Sequence, residues 1–189
     1  VEGVDGPLER PTRLVVATGE PQRVPMGREH HLALMRAHVA EAAERIGLSP
    51  DRAPALVARL GELRPWPEAP AVLAQLRATM KIGVVTNCSD EVGRRAAAQV
   101  GVPFDVVATA EAAGAYKPRP EPYRLALEAL DVNAAQTLFV AGSPDDIAGA
   151  DRVGMPVYWH NRRGVDLGGR ARPFVEHDSL APLLDAMTE

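Results

Sequence analysis

Cysteine is almost absent. Cys88 stands alone in 189 residues, so no internal disulfide can form, and the fold must rest on a packed core. No apolar run approaches the roughly 20 residues that a bilayer span requires, which argues against a membrane protein. A signal-peptide pattern is missing too, making the cytoplasm the default expectation. Basic residues are not clustered: 21 Lys and Arg are scattered against 25 Asp and Glu, for a net charge of -4. That distribution offers no stripe for nucleic acid or for an anionic membrane, and points instead to a small-molecule partner. Lysine is scarce, only Lys81 and Lys117 among the 21 cations. A lysine kept in a chain that otherwise uses arginine can mark a place needing a compact ammonium rather than a planar fork, although two cases leave chance as an equal explanation.

The length suits one α/β domain with a modest helical insertion. Residues 1–24 are rich in Gly, Pro and Arg and read as irregular, apart from a short strand-like run at Leu14–Thr18. From Arg28 to Ile46 the apolar residues Leu32, Met35, Val39, Ala42 and Ile46 form a helical stripe that Gly47 terminates. Ser49-Pro50 then provides an N-cap and first-turn proline for a second stripe, Ala53, Leu56, Val57 and Leu60. After Pro65-Trp66-Pro67 the pattern becomes strand and helix in alternation, the signature of a parallel sheet with crossover helices. The expected strands are Ile82–Thr86, Phe104–Ala108, Thr137–Ala141 and Val157–His160. The expected helices are Ala69–Met80, Asp90–Val100, Glu121–Leu130 and Asp146–Val153, with a last one capped by Asp178 and presenting Leu180, Leu183, Leu184 and Met187.

Ligands of an open parallel sheet bind beyond the carboxyl ends of its strands. Polar residues gather there: Thr86-Asn87-Cys88-Ser89 after the first run, Tyr116-Lys117-Pro118 after the second, and Gly142-Ser143-Pro144-Asp145-Asp146 after the third. Each has a plainer reading alone. Thr86 and Ser89 suit helix caps, Asp145 and Asp146 suit a helix's first turn, and Lys117 suits an exposed loop. Cys88 lacks a nearby histidine to activate it and reads as a small semi-buried side chain. His30, His31 and His38 read as surface or packing residues.

Taken in order, these segments resemble the motifs of the haloacid dehalogenase superfamily. Ile82-Gly83-Val84-Val85-Thr86-Asn87 resembles its second motif, Tyr116-Lys117-Pro118 its third, and Phe139–Ala150 its fourth. Trp159-His160-Asn161-Arg162 and the Asn87 that follows Thr86 are similar to the 2-haloacid dehalogenases in particular. The likeness runs from about Val24 to Met187. It implies an α/β, HAD-like (Rossmann-like) parallel sheet flanked by helices, with residues 67–189 as the core and 25–66 as part of a small helical cap.

The resemblance also implies a covalent route, in which an aspartate attacks the substrate and water hydrolyses the ester. Thr86 would bind the substrate anion, together with Asn87, Ser143 and Tyr116, and Asn87 would cradle the departing halide. Lys117 would orient the nucleophile, and Asp146 would hold Lys117 or position the water. No cofactor is needed by a dehalogenase, whereas a phosphatase relative would bind Mg2+ through Asp145 and Asp146. The fourth motif is one residue shorter than the usual phosphatase loop. Against that, Ser143 stands where dehalogenases carry Asn and Asp145 where they carry an aromatic, which keeps a phosphatase open.

The superfamily's first motif, a strand followed by Asp-x-x-Gly-Thr, is not found. Its nearest string, Gly3-Val4-Asp5-Gly6-Pro7-Leu8, puts Gly3 in the nucleophile's place, and Leu14–Thr18 contains no acid. Val1 in place of an initiator methionine leads us to expect a truncated or misassigned start. The central first strand is therefore expected to be missing or altered, and a catalytically inactive binding remnant joins the two hydrolase readings. The expected partner is a small anionic substrate, with no nucleic acid or membrane, and a homodimer stays open.

Overall fold

The computed structural model describes residues 13–18, 28–45, 47–52, 54–55, 59 and 62–186. The string Gly3–Leu8, the stripe Ala53, Leu56, Val57 and Leu60, and Met187 lie outside the described residues. So do the side chains of Leu32, Met35, Ala42, Ile46 and the three histidines of the first helix.

Six strands form one sheet: β1 Arg13–Thr18, β2 Ile82–Thr86, β3 Val106–Thr109, β4 Thr137–Ala141, β5 Val157–His160 and β6 Val175–His177. Their order is β3-β2-β1-β4-β5-β6, and every pairing is parallel. Strand order reverses between β1 and β4, and it is at such a switch point that open parallel sheets bind ligands.

The expectation about the first strand resolves in one direction. A strand does occupy the centre, so it is not missing, and a boundary at residue 24 cuts a core element away from 67–189. It is altered, however. Its register runs Leu14 with Ile82 to Thr18 with Thr86, and no residue of Arg13–Thr18 is acidic. The short run Leu14–Thr18 sits in the middle of the sheet, a place that favours strands rich in Val, Ile and Leu.

The helices are α1 Arg28–Arg45, α2 Ala69–Arg77, α3 Asp90–Ala98, α4 Ala110–Ala113, α5 Pro120–Leu130, α6 Pro144–Asp151 and α7 Pro182–Ala186. Side-chain alternation along the strands divides the core in two. Leu138 and Val140 join Val72, Leu73, Leu76 and Leu183 on one face, while Phe139 and Ala141 join Tyr123, Leu127, Ile147 and Trp159 on the other. Each fully buried residue of this size contributes roughly 1.5–3 kcal/mol. Strand β3 starts two residues later than its apolar run because Asp105 is used otherwise: its carboxylate accepts from the Ile82 amide and pairs with Arg77, both at 2.9 Å. Helix α6 starts two residues earlier than expected, with Ser143 as N-cap and Pro144 in the first turn. The last helix begins at Pro182, beyond Asp178. Among the described residues no helix is long and apolar enough to cross a membrane.

Candidate functional site

The carboxyl end of β2 leads into α3, whose N-cap Ser89 accepts from the Val92 amide. The carboxyl end of β3 leads into α4 and then to Tyr116-Lys117-Pro118. Four side-chain bonds tie these two exits together. Thr109 donates to Asp90, Glu111 accepts from the Asp90 amide at 2.8 Å, and the Asn87 side chain brackets the main chain of Lys117. In that bracket Asn87 Oδ1 accepts from the Lys117 amide at 2.8 Å, and Nδ2 donates to the Lys117 carbonyl at 3.3 Å. The Lys117–Pro118 peptide is cis. Loop 114–118 is thus held in place by the strand-end residue of its neighbour.

Lys117 is 0 % exposed, so its ammonium is not a loop charge in water. Its Nζ lies 3.1 Å from Oδ2 of Asp146, itself only 2 % exposed, at the start of α6. The other carboxylate oxygen, Oδ1, accepts from the Tyr123 hydroxyl at 3.4 Å. Burial pushes the Asp146 carboxyl above the ordinary aspartate range, against the opposing pull of Lys117 and Tyr123. The two buried charges stabilise each other, and removing Lys117 would leave the Asp146 carboxylate buried without that cation. The second lysine is also used as a point donor: Lys81 Nζ donates to the Leu130 carbonyl at 2.7 Å, capping the end of α5. Both lysines therefore occupy places that suit an ammonium.

Thr86 is buried, and its hydroxyl donates to Cys88 Sγ at 3.2 Å. Burial raises the Cys88 thiol, while the Thr86 bond and the Lys117 charge draw it down, which places Cys88 within reach of the lysine's field. Tyr116 lies in the same group, its phenol pushed up to about 12 by burial and by the neighbouring cysteine. The sequence-derived residues Thr86, Asn87, Tyr116, Lys117 and Asp146 thus sit together at the ends of β2, β3 and β4. Ser143 and Asp145 stand at the rim. The Ser143 hydroxyl accepts from the Asp145 amide at 3.3 Å, and Asp145 pairs with Arg170 at 2.8 Å.

Two contributors escaped the sequence reading. Tyr123, in the middle of α5, reaches Asp146 only because Gly149 faces its ring; a Cβ at Gly149 would stand 2.3 Å from the Tyr123 oxygen. Gly93 plays the same part beside Thr86, where an added Cβ would lie 2.9 Å from the Thr86 methyl. Neither contact is local in sequence.

The donor set can hold an anion, through a buried cation with hydroxyl and amide groups beside it. It does not fit Mg2+. Asp146 is engaged by Lys117 and Tyr123, Asp145 by Arg170, and among the described residues no group of three or more His, Cys, Asp or Glu could hold a metal ion. Hard-cation sites need several oxygen ligands directed at one point.

The chain is similar to several known proteins. Haloacetate dehalogenase H-2 of Moraxella sp. is 35% identical over 131 residues, covering 66% of this chain and 56% of that protein. The (S)-2-haloacid dehalogenase of Xanthobacter autotrophicus is 32% identical over 116 residues, 59% of this chain and 46% of that one. A phosphoglycolate phosphatase of Rhodospirillum rubrum is 33% identical over 126 residues, 63% and 52% of the two chains. The chain spans about half the length of the curated relatives it matches. In fold it is similar to the solved L-2-haloacid dehalogenase of Xanthobacter autotrophicus, with TM-score 0.73, 20% identity, and coverage of 91% of this chain and 96% of that one. The model of the haloacid dehalogenase-like hydrolases matches residues 5–154, and the chain belongs to that family.

Proposed function

We propose that the Lys117–Asp146 site is the anion-binding and electrostatic half of a dehalogenase-like hydrolase acting on small 2-substituted carboxylic acids. The observation that carries this reading is the fully buried ion pair, held at 3.1 Å at the carboxyl end of the sheet. In the reaction, a carboxylate at the end of β1 displaces the substituent from C2. The carbon–halogen electron pair leaves as halide and an ester forms. Water then attacks the ester, releasing the hydroxy acid and a proton and restoring the carboxylate. Thr86 binds the substrate's carboxylate, Lys117 orients the nucleophile, and Asp146 keeps Lys117 charged and in place. Asn87 acts by fixing the Lys117 main chain.

In this chain the register puts Thr18 at the end of β1. A threonine there supplies no carboxylate, so the described site binds small acids without turning them over. Losing the nucleophile of a catalytic group costs on the order of a millionfold in rate. Asp145 and Asp146 do not replace it, since both are engaged at the start of α6. The phosphatase reading has a curated relative behind it, but the carboxylates needed for Mg2+ are occupied. The test is to assay halide release from 2-chloropropanoate and phosphate release from a monoester, each with and without Mg2+, alongside equilibrium binding of propanoate. Binding without turnover supports the proposal; Mg2+-dependent phosphate release overturns it.

A further inference from the structure

The short helix α4 adds little to the core, since Ala110 is its only buried residue. What it carries is Glu111, whose polar groups are engaged on two sides. The Glu111 amide donates to the Cys88 carbonyl at 3.5 Å, and its Oε2 accepts from the Asp90 amide at 2.8 Å. These two bonds straddle Ser89 and clasp the turn 88–90 that joins β2 to α3. On the other side, the Glu111 carbonyl accepts from the Gly114 amide at 3.3 Å, where the loop to Lys117 begins.

This clasp is the counterpart of the Asn87 bracket. There a side chain at the end of β2 holds the main chain that follows β3. Here a residue after β3 holds the main chain that follows β2. Asn87 directly precedes Cys88, so the two clasps close a ring through the turn 88–90, α4 and the loop 114–118.

The Asp90 amide is one of the N–H groups at the start of α3 that have no acceptor within the helix. Ser89 satisfies the Val92 amide, and Glu111 reaches across from another element to satisfy this one. An ionised acceptor makes a bond roughly twice as strong as a neutral one, and a carboxylate there also meets the positive end of the helix dipole. Thr109, 0 % exposed and the N-cap of α4, donates to the Asp90 carboxylate and fixes the turn from the same side. A carboxylate beside a site for anions works against binding through its charge. Its charge and its clasp therefore act in opposite directions, which makes them separable.

We propose that Glu111 is a positioning residue for the anion site: through the turn 88–90 and Asn87 it holds Thr86 and Lys117 in the arrangement that accepts a small carboxylate. The ligand rests on the functional reading above; the clasp does not.

Two substitutions separate reach from charge. Glu111→Asp keeps the charge but is one methylene shorter, which breaks the bond to Asp90. Glu111→Gln keeps the length and an acceptor oxygen and drops the charge. Propanoate titration and amide hydrogen exchange are measured on the full chain and both variants. Glu111→Asp should weaken propanoate by about tenfold or more, the worth of one lost bond to a charged group. It should also speed exchange at the Lys117 amide, which Asn87 holds rather than Glu111, while the Val84 and Val140 amides of the sheet stay as they are. Glu111→Gln should stay near the parent on both counts. A residue acting through its charge alone gives the reverse order, with Glu111→Asp near the parent and Glu111→Gln binding more tightly. A residue that only stabilises the fold speeds exchange in every strand together. Either result overturns the proposal, as does an unchanged Lys117 amide in Glu111→Asp. If the parent itself binds no propanoate, the functional reading falls, and exchange at Lys117 decides the clasp alone.

Discussion

Replacing Gly149 by alanine tests how tightly the ion pair is supported. In an open helix the change gains about 1 kcal/mol from propensity. Here the new Cβ would lie 2.3 Å from the Tyr123 oxygen and 2.7 and 2.9 Å from two ring carbons, and Tyr123 is 0 % exposed. The ring has nowhere to go without moving α5 from α6. Overpacking of this kind costs about 1–3 kcal/mol, and displacing the hydroxyl from Asp146 adds about 1 kcal/mol. The balance is a net destabilisation of about 1–3 kcal/mol, which for a domain of this size lowers Tm by roughly 2–12 °C. Thermal melts and urea midpoints measure it. The same substitution in a Tyr123→Leu background removes the clash and should become neutral or stabilising. A Gly149→Ala variant as stable as the parent in the Tyr123 background would refute the packing that positions Asp146.

Three further outcomes follow from the same contacts. Lys117→Met leaves Asp146 buried beside no cation and should cost about 3–5 kcal/mol in urea unfolding, whereas Lys117→Met with Asp146→Leu should recover most of that loss. Lys117→Arg keeps the charge but not the compact shape, so propanoate binding should fall by tenfold or more; undiminished binding would remove Lys117 from the site. Burial works against Asp105, but the Ile82 amide and Arg77 prevail and hold its carboxyl below the ordinary value of 3.8. Its contribution to stability is therefore present above that pH and lost as pH falls through the lower folded-state value. Asp105→Asn should thus be less stable than the parent at pH 7, with the gap narrowing below about pH 3.8. A gap that stays constant would contradict the capping role.

The parallel sheet was legible because buried strands are short apolar runs with turn residues around them, and β2, β4 and β5 fall on the runs that predicted them. Strand β6, three residues long and only partly buried, has no such signal, nor does the four-residue α4. The site's polar residues could be read because strand ends collect them. Their linkage could not. The Asn87 bracket spans 30 residues and the Tyr123–Asp146 bond 23, and no periodicity encodes either. The N-terminal strand was visible as an apolar run, but its central place emerges only from pairing with β2 and β4. Glu68 and Arg162, 94 positions apart, likewise meet without any local signal.

The central claim is that this chain holds a hydrolase site whose missing element is a carboxylate opposite Thr86. Installing it by Thr18→Asp and measuring chloride release from 2-chloropropanoate tests that claim most directly. The prediction is that the parent chain binds the acid without releasing chloride and that the variant releases it catalytically. Release by the parent chain that is lost in Asp5→Asn would contradict the account, as would a Thr18→Asp variant that folds and binds the acid yet releases nothing.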